Sequence, residues 1–575
     1  MSSNAVEEKD MSASWLSRDR DVGIGVFVAA LTIRLLHLIQ ISRLDPYFLN
    51  PAVDGTIYHE WAQRIASGDW VGEGVLIMGP LYPYLMGLMY SFTGPDLMVW
   101  KIVQAVLGAL SCLLVWRLAR EVFDRRVALI AASLAVFFEM LIFYGGTVMV
   151  VNVQVPLVLS VVLMTMRALR LGGVSRWLTV GILIGLSGLA RQTMLLYLPV
   201  VCVSLWFSMG SLTAKSFYPA RVRFLAALLV GVTVILLPFT IRNLIVADDF
   251  VVVNSTGGIN LYMGNNEHSD GRWRPPRIGR GRVDTPVAMQ ETFSKVAEER
   301  LERELSPSEV SRYWSGQALD FVVSDPSGWM KLEARKFLLF FNANEVWNNR
   351  SIEISRPFSS ILSWSFLDLG IVIPLGVLGM GLAVRRWREL FPLYGLVFVY
   401  LTSIMVFFMV SRYRMPAVPI LMIFSAYSLV WFFDSVRGTN FRSLLAACFA
   451  LIILIPVSRL DLAVPDSYMA YFNLGNRYRE NGDHDRAIES YEEALRQNSG
   501  FTSTLNNLAL IYQEVGRTDE AGEIWQNLYQ RAVKTRDVGL LKRSYRRLRS
   551  LGLEPINTPN INDSAPSEKR QSSPD

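Results

Sequence analysis

The segment Val22–Ile41 reads "VGIGVFVAALTIRLLHLIQI" and decides the class of fold. As a helix rising 1.5 Å per residue, it would be about 30 Å long, which matches the hydrocarbon core of a bilayer. The run is long for the hydrophobic region of a secretory signal, and no small-x-small cleavage site follows it. We therefore interpret it as an uncleaved first membrane span that follows a cytoplasmic segment at 1–21.

Similar apolar runs recur along the 575-residue chain, of which 51% is hydrophobic. The mean hydropathy is +0.30, which is unusual for a soluble protein of this length. The sequence thus predicts an all-α fold, a polytopic membrane helical bundle of about eleven spans over 22–460. The predicted spans are 22–41, 97–116, 127–145, 148–166, 177–190, 192–209, 224–241, 366–384, 390–410, 415–433 and 443–458. Arg191 interrupts the fifth and sixth of these, so that pair is equally consistent with one broken or re-entrant unit.

The orientation of the spans follows from the Lys and Arg residues in short loops. If the spans alternate, basic clusters such as 117–126 and 385–388 fall on one side, which the positive-inside rule makes cytoplasmic. The outer loops 42–96 and 242–365 and the chain after 459 then lie on the opposite face. We expect this to be the periplasmic side of a bacterial inner membrane, or the lumen of the endoplasmic reticulum in a eukaryote. One miscounted span would move the C-terminal tail to the cytoplasm.

The C-terminal tail contains an internal repeat. "YFNLGNRYRENGDHDRAIESYEEAL" and "LNNLALIYQEVGRTDEAGEIWQNLY" match at five positions with an offset of 34, the tetratricopeptide period. The matching pairs are Leu474 and Leu508, Tyr478 and Tyr512, Gly482 and Gly516, Ala487 and Ala521, and Tyr491 and Trp525. We predict an α-solenoid tetratricopeptide domain at 465–552, in which Lys534–Leu551 supplies a capping helix or a degenerate third repeat. The polar, Pro/Ser-rich segment 553–575 is predicted to be disordered.

Cysteine usage and charge exclude several classes of protein. Cys112, Cys202 and Cys448 each lie within an apolar run, so a disulfide framework and a zinc site are improbable. The formal net charge is +6, and we expect no basic stripe on a soluble segment, which argues against a nucleic-acid partner.

An acid stands in the first outer loop, within "VDGTIYHEWAQRIASGDW" at 53–70. Asp54 could deprotonate an acceptor hydroxyl beside a cationic phosphate site, or it could cap the helix that "GTIYHEWAQRIA" predicts. The spacing supports both readings equally. Asp54, Glu60, Asp69 and Glu73 could in principle bind a divalent ion, but their spacing is not diagnostic and we predict no metal site.

A group of cations lies at or near the outer interface, where the positive-inside rule disfavours them. A phosphate-bearing lipid headgroup would offset their cost, whereas the alternatives are snorkelling side chains or local ion pairs. Arg34 belongs to this group, and the five members that we take as candidates for binding a phosphate are Arg191, Arg242, Lys336, Arg412 and Arg414.

Several short motifs give the chain a resemblance to a known class. These are Asp54 with Tyr58, "GPLYPY" at 79–84, "GLSGLARQTMLLYLP" at 185–199, Arg242-Asn243, "GGINLYMGNN" at 257–266 and "SRYRMPAVP" at 411–419. Over 22–460 the chain resembles the GT-C class of integral-membrane glycosyltransferases, which contains protein O-mannosyltransferases and lipid A aminoarabinose transferases. With its tail, it also resembles the eukaryotic O-mannosyltransferases that carry tetratricopeptide repeats.

The resemblance implies an inverting transfer of a sugar from a polyprenyl-phosphate donor to an acceptor hydroxyl on the non-cytoplasmic face. Asp54 would be the base, and the five cations above would bind the donor phosphate. Residues of the motifs would line the substrate site, namely Tyr58, Tyr82, Tyr262 and Asn265. The repeats would hold a protein or glycan acceptor, and no cofactor beyond the lipid-linked donor is implied.

Two other classes of protein stay open. Many relatives have a second acid after the first and a cation or His before "PLYP", whereas this chain has Gly55 and Met78-Gly79. These differences favour a catalytically degenerate, membrane-anchored scaffold that acts through its repeats. The third class is a polymerase, ligase or flippase of a surface polysaccharide, whose large outer loop usually falls late in the chain.

Overall fold

A computed structural model describes residues 3–208, 214–274, 276, 278–279, 285–364, 367–438, 441–462 and 467–556. The chain folds as two compact units, Met1–Val464 and Pro465–Asp575. Within the described residues the regular structure is helical, apart from one isolated bridge between Arg272 and Met409. The predicted all-α class is confirmed.

Over its described residues, the first unit contains 21 α-helices joined by loops and short 3₁₀ turns. They are α1 (Ser3–Leu44), α2 (Asp54–Ala66), α3 (Leu81–Thr93), α4 (Leu97–Val122), α5 (Arg125–Phe137), α6 (Glu139–Gly145), α7 (Val151–Leu171), α8 (Val174–Ala190), α9 (Leu198–Ser208), α10 (Ala214–Ala247), α11 (Gly257–Gly264), α12 (Pro286–Leu301), α13 (Pro307–Ser324), α14 (Pro326–Phe340), α15 (Ile352–Ser355), α16 (Ser360–Ser363), α17 (Leu369–Leu382), α18 (Phe391–Val406), α19 (Ser411–Arg414), α20 (Val418–Arg437) and α21 (Phe441–Ser458).

The chain is an integral membrane protein. Among the described residues, six helices are long and apolar enough to cross a bilayer: Asp19–Leu44 of α1, α4, α7, Pro219–Ala247 of α10, α20 and α21. The bent pair of α5 and α6 makes a seventh if it counts as one span. Shorter apolar helices at Val174–Ala190, Gln192–Phe207, Leu369–Leu382 and Phe391–Val406 overlap the remaining predicted spans. The count of eleven stays a prediction.

One predicted span is broken in the structure, and a second break separates the fifth and sixth predicted spans. The segment 127–145 forms α5 and α6, which bend by 50° at Phe138. At the second break, α8 ends at Ala190, Arg191 is extended (φ −156°, ψ 124°), and a 3₁₀ turn at Gln192–Tyr197 leads into α9. The break at Arg191 suspected from the sequence is therefore present. Helix α8 thus ends just before Arg191, whose side chain lines the cavity described below.

Small residues let α8 and α10 approach closely. A Cβ on Gly181 would lie inside the van der Waals radius of the Leu228 carbonyl oxygen, and one on Gly231 would lie 2.5 Å from the Leu178 carbonyl oxygen. Both obstacles are backbone atoms, which cannot move without displacing a helix. Glycine pairs of this kind are a common way for membrane helices to pack.

The second unit stacks two helix pairs and one further helix. The pairs are α22 (Ser467–Glu480) with α23 (His484–Gln497) and α24 (Thr502–Glu514) with α25 (Thr518–Thr535), and α26 is Val538–Ser550. Gly482 (φ 79°) and Gly516 (φ 81°) lie in the turn within each pair, where a positive φ favours glycine. Tyr491 packs on Gly475, where a Cβ would lie 2.6 Å from the ring. The predicted tetratricopeptide architecture is thus present.

Two expectations from the sequence concern the C-terminal end of this unit: the absence of a basic stripe and the disorder of 553–575. α26 packs on α25 through Ser544 and Leu548 as a single helix, and it exposes several Lys and Arg residues on one face. The expectation that no soluble segment carries a basic stripe is therefore wrong, although the exclusion of nucleic acid stays a prediction. Of the predicted disordered tail 553–575, residues from 557 onward lie outside the described residues. Ile556 donates its N–H to Gln526 of α25.

We predict that Gly181→Ala destabilises the first unit, because the added methyl group overlaps a backbone carbonyl oxygen of α10. Overpacking of this kind costs about 1–3 kcal/mol, so the apparent melting temperature in detergent should fall. The measurement is thermal unfolding followed by size-exclusion chromatography. Gly25→Ala is the matched control, since a Cβ on Gly25 of α1 meets nothing within 4 Å. An equal loss in both variants would contradict close packing of α8 on α10.

Candidate functional site

A cavity of about 340 Å³ opens in the first unit, where the first outer loop, the break after α8 and the chain around α19 converge. It is lined by Val53, Asp54, Tyr58, Ile77, Met78, Gly79, Val150, Ala190, Arg191, Gln192, Thr193, Leu196, Asn254, Thr256, Gly257, Asn260, Trp273, Pro286, Met289, Asn348, Ser403, Phe407, Phe408, Arg412 and Tyr413.

Asp54 is the first residue of α2, and its side chain does not cap that helix. The N-cap position is Val53, and no side chain accepts a hydrogen bond there. The carboxylate of Asp54 instead accepts from Nη1 of Arg412 at 2.6 Å, and both side chains are buried. The N-cap reading of Asp54 is therefore wrong. The ion pair joins residues 358 positions apart in the chain.

Gly55 and Gly79 each lie where the neighbouring atoms leave no room for a side chain. A Cβ on Gly55 would lie 2.8 Å from the Pro51 side chain and 3.1 Å from the Val148 carbonyl oxygen. A Cβ on Gly79 would lie 2.6 Å from the Leu189 carbonyl oxygen. This backbone has no room for a second acid after Asp54, and Gly79 lets the first outer loop contact the end of α8.

The ring of Tyr413 contacts both guanidinium groups of the cavity. Cζ of Arg191 is 3.5 Å from the centroid of the Tyr413 ring, and Cζ of Arg412 is 5.3 Å from it. Burial raises the pKa of the Tyr413 hydroxyl, but the neighbouring Arg191 and Arg412 outweigh burial, so this pKa lies below its usual value. Nε of Arg412 is buried without a hydrogen-bond partner among the described residues. The arrangement therefore has spare positive charge and an unused donor.

The remaining wall offers hydrogen bonds and apolar faces without charge. Gln192, Thr193, Asn254, Asn260 and Asn348 present amides and a hydroxyl, while aromatic rings come from Tyr58, Trp273, Phe407 and Phe408. Of the lining residues that the structure describes, Asp54 is the acidic one and Arg191 and Arg412 are the basic ones.

Lys336 and Asn265 lie apart from the cavity lining and bind each other. The buried ammonium of Lys336 donates to Asn265 Oδ1 at 3.0 Å, to Glu333 Oε1 at 2.7 Å and to the Met405 carbonyl oxygen at 2.8 Å. Burial lowers the pKa of Lys336, although Glu333 opposes this effect. The pair joins α14 to the end of α18, and the predicted substrate roles of Lys336 and Asn265 stay predictions.

Arg414 and Arg242 hold backbone segments. Nη1 of Arg414 donates to the carbonyl oxygens of Leu339, Phe340 and Asn342, at 3.2, 2.8 and 2.6 Å. Arg242 donates to the carbonyl oxygens of Val71 and Gly74 in the first outer loop. Both side chains thus shape the loops around the cavity, and their predicted contact with a phosphate stays a prediction.

The other candidates from the sequence also lie outside the cavity lining. The Tyr82 hydroxyl donates to Gln104 Oε1 and accepts from Trp100 Nε1, and its ring packs against Tyr58 at 4.8 Å between centroids. Tyr262 packs on Trp314 at 4.7 Å. Arg34 donates to the Ala30 carbonyl oxygen and to Cys112 Sγ within the bundle.

The sequence reasoning missed several lining residues. Tyr413 stands between two of the predicted cations in "SRYRMPAVP", and Gln192 follows Arg191, so both were within quoted motifs. Asn254 and Asn348 belong to loops whose course the sequence does not reveal. Among the described residues, no group of three or more His, Cys, Asp or Glu side chains is placed to hold a metal ion.

Comparisons with known proteins match two parts of the chain. Residues 78–241 match the family model of dolichyl-phosphate-mannose-protein mannosyltransferases, and residues 465–516 match a tetratricopeptide repeat model. The predicted resemblance to GT-C glycosyltransferases with C-terminal tetratricopeptide repeats is thereby confirmed.

Curated relatives match over short segments. The chain is 49% identical over 51 residues to the photosystem I assembly protein Ycf3 of Prochlorococcus marinus (strain MIT 9303), and 44% identical over 50 residues to that of Synechococcus sp. (strain CC9605). Each match covers 9% of this chain, and 30% and 29% of the respective relative. The chain therefore spans less than a third of these relatives.

Two solved structures align with the chain at low identity. The apo oligosaccharyltransferase of Archaeoglobus fulgidus aligns at 15% identity and a TM-score of 0.44, over 78% of this chain and 57% of that chain. ArnT of Cupriavidus metallidurans, bound to undecaprenyl phosphate, aligns at 15% identity and a TM-score of 0.31, over 72% and 78% of the two chains.

We predict that Arg414→Gln is much less stable than Arg191→Gln. The first change leaves several buried carbonyl oxygens without a charged donor, and each such loss costs roughly 1–3 kcal/mol. Arg191 is half-buried at the cavity wall, so its loss should leave the fold intact. Thermal unfolding of both variants in the same detergent checks this difference, and equal losses would contradict the separation into a structural and a site arginine.

Glu345 lies in the loop 341–351, three residues before the lining residue Asn348. Its carboxylate accepts from Ile352 N–H at 2.8 Å and from Ser351 Oγ at 3.1 Å, while Oε1 is buried without a partner among the described residues. Burial outweighs these hydrogen bonds and raises the pKa of Glu345 from 4.5 to about 7.

We predict that Glu345 makes the fold less stable as the pH rises from about 4.5 to about 7. Over that range the unfolded chain releases the Glu345 proton before the folded chain does, so the free energy of unfolding falls. Glu345→Gln should therefore match the parent near pH 4.5 and exceed it in melting temperature above pH 7. The exposed Glu353→Gln is the control. A constant difference between the parent and Glu345→Gln at every pH would refute the shift.

Proposed function

We propose that the chain is a membrane glycosyltransferase of the GT-C type, which moves a sugar from a polyprenyl-phosphate donor to an acceptor hydroxyl on the non-cytoplasmic face. The observation that carries this proposal is the buried pair of Asp54 and Arg412, 2.6 Å apart in a cavity that also contains Arg191. A carboxylate beside two guanidinium groups combines a base for the acceptor with a site for the phosphate that leaves.

Arg191 and Arg412 are the groups that we propose bind the donor phosphate. Guanidinium groups donate two parallel hydrogen bonds to phosphate oxygens, and such charge-assisted bonds are stronger than neutral ones. The unused Nε–H of Arg412 supports this role. As the bond between the anomeric carbon and the phosphate oxygen breaks, negative charge grows on that oxygen. Fixed cations at this point stabilise the transition state more than the ground state.

Asp54 would take the proton of the acceptor. In a single displacement, the acceptor oxygen forms a bond to the anomeric carbon from the face opposite the phosphate, so the configuration inverts. The acceptor proton passes to the Asp54 carboxylate, and the electron pair of the broken bond leaves with the polyprenyl phosphate. A base of this kind typically contributes 10²–10⁴ in rate.

The rest of the cavity wall suits an uncharged sugar. Amides such as Gln192, Asn254 and Asn260 can both donate to and accept from hydroxyl groups, and the ring of Trp273 offers an apolar face. We have assigned the acidic and basic lining residues, Asp54, Arg191 and Arg412, to the acceptor and the phosphate. A sugar with its own ammonium or carboxylate group would find no free counter-charge among them.

The matched family model supports the donor class. It covers 78–241, which contains Arg191, and its description names a dolichyl-phosphate-linked sugar as the donor of a protein mannosyltransferase. We extend this to a polyprenyl phosphate in general, without a metal or other cofactor. The tetratricopeptide repeats would hold a protein or glycan acceptor, since such repeats bind partners through an extended concave surface. The distribution of Lys and Arg supports a non-cytoplasmic, periplasmic position for the loops and the repeats.

The testing experiment measures glycosyl transfer from radiolabelled polyprenyl-phosphate sugars in membranes that contain equal amounts of each variant. We predict that Asp54→Asn lowers incorporation by about 100-fold or more, because the amide cannot accept the acceptor proton. Glu60→Gln is the matched control, since Glu60 is an exposed acid on the same helix and should leave the rate unchanged.

The other outcomes separate the competing functions. Equal incorporation by the parent and by Asp54→Asn would remove Asp54 as the base. No incorporation by any variant from a broad donor panel would favour the membrane-anchored scaffold. Parent activity that lengthens a lipid-linked glycan without using a monosaccharide donor would favour a polymerase or ligase.

A further inference from the structure

Helix α26 carries a basic face that glycosyl transfer does not use. Its exposed residues Lys542, Arg543, Arg546 and Arg547 lie opposite Leu548, which is buried against the rest of the second unit. Lys542 and Arg546 are four residues apart, as are Arg543 and Arg547, so the four side chains form two adjacent rows. We call these four residues the basic face.

The charges of the basic face have no ion-pair partner in the part of the unit that the structure describes. Like charges four residues apart on a helix repel each other, so this arrangement weakens α26 in isolation. Other arginines of the unit are paired: Arg479 with Glu514, Arg496 with Glu493, and Arg517 with Glu520.

Solubility alone does not require this pattern. The terminal helix of a solenoid needs a polar outer face, because no further repeat covers it. A mixture of acidic and basic residues supplies that polarity and also avoids repulsion, as the paired surfaces of α23 and α25 do. A face with only positive charges is instead suited to binding anions.

We propose that the basic face of α26 binds the anionic headgroups of the bilayer that anchors the first unit. Clusters of four to eight Lys and Arg residues on an amphipathic helix are attracted to anionic phospholipids, within about one Debye length of the surface. Residues 459–466 separate α21 from α22, and a segment of this length reaches at most roughly 30 Å. The headgroups are therefore present at a high effective concentration, unlike a soluble acidic protein or a nucleic acid.

Lipid binding would hold the second unit at the membrane surface. The proposal concerns α26 and the headgroups, and it stands whether or not the cavity of the first unit transfers sugar.

The test compares full-length protein in nanodiscs of phosphatidylcholine with protein in nanodiscs that also contain phosphatidylglycerol. Hydrogen–deuterium exchange of the peptide that covers α26 is the readout. We predict that exchange slows at least severalfold in the anionic nanodiscs. The slowing should disappear at about 0.5 M NaCl, where the Debye length is about 4 Å, and in the variant K542Q/R543Q/R546Q/R547Q.

A second variant controls for the loss of charge. R479Q/R486Q/R496Q/R517Q removes four positive charges from other parts of the same unit and should keep the response to anionic lipid. The exchange of α22–α25 reports whether each variant is folded. If the first variant loosens those helices, R543Q/R547Q replaces it and should show a reduced response.

Three results would overturn the proposal. Equal exchange of α26 in both kinds of nanodisc would show that the headgroups do not bind there. Loss of the lipid response in the control variant would show a general effect of charge. Protection of α26 by an added acidic peptide or by DNA, without any effect of lipid, would assign the face to a soluble partner.

Discussion

The buried ion pair between Asp54 and Arg412 is the interaction on which the architecture of the site depends. It joins the start of α2 to α19, and both side chains are largely removed from solvent. Removing one member of such a pair leaves an uncompensated buried charge, which typically costs about 3–5 kcal/mol. A buried pair contributes little net stability compared with apolar residues of the same volume. The stability of the fold therefore does not by itself require a charged pair at this place.

Neighbouring interactions hold this pair in place. The Ser411 N–H donates to the Val346 carbonyl oxygen at 2.8 Å, and Ser411 Oγ accepts from the Val346 N–H. Arg414 then fastens α19 to the carbonyl oxygens at the end of α14. A four-residue helix has little stability of its own, so these contacts fix the directions of Arg412 and Tyr413. On the opposite wall, the close approach at Gly79 brings the first outer loop against the end of α8, where Arg191 begins the break.

The cations near the outer face thus divide by what their side chains contact. Arg242 and Arg414 donate to backbone carbonyl oxygens, and Lys336 is surrounded by Glu333, Asn265 and Met405. Arg191 and Arg412 line the cavity. Arginine therefore has two roles here. Arg242 and Arg414 donate hydrogen bonds to backbone carbonyl oxygens, whereas Arg191 and Arg412 bring positive charge to the cavity. The basic face of α26 is a third case, because its Lys and Arg residues form no ion pair in the described part of the second unit.

The sequence by itself determined the all-α class, the membrane core and the tetratricopeptide tail. Each of these follows from a pattern within a short stretch of the chain. Apolar runs of about 20 residues, and a repeat offset of 34, are local properties that each segment carries whatever its neighbours do. The placement of Asp54 and the cations on one face of the membrane is a prediction from the positive-inside rule.

The tertiary structure decided which of these residues meet. Asp54 and Arg412 are far apart in the chain, and no period or spacing relates them. Arg412 and Arg414 stand two positions apart in one motif, yet one lines the cavity and the other holds a loop, because successive side chains of a short helix point in different directions. Tertiary packing also explains why glycine rather than a second acid follows Asp54. Pro51 and Val148 lie so close to Gly55 that they leave no room for a side chain there. Contacts of this kind are set by the packing of whole elements, which local sequence does not encode.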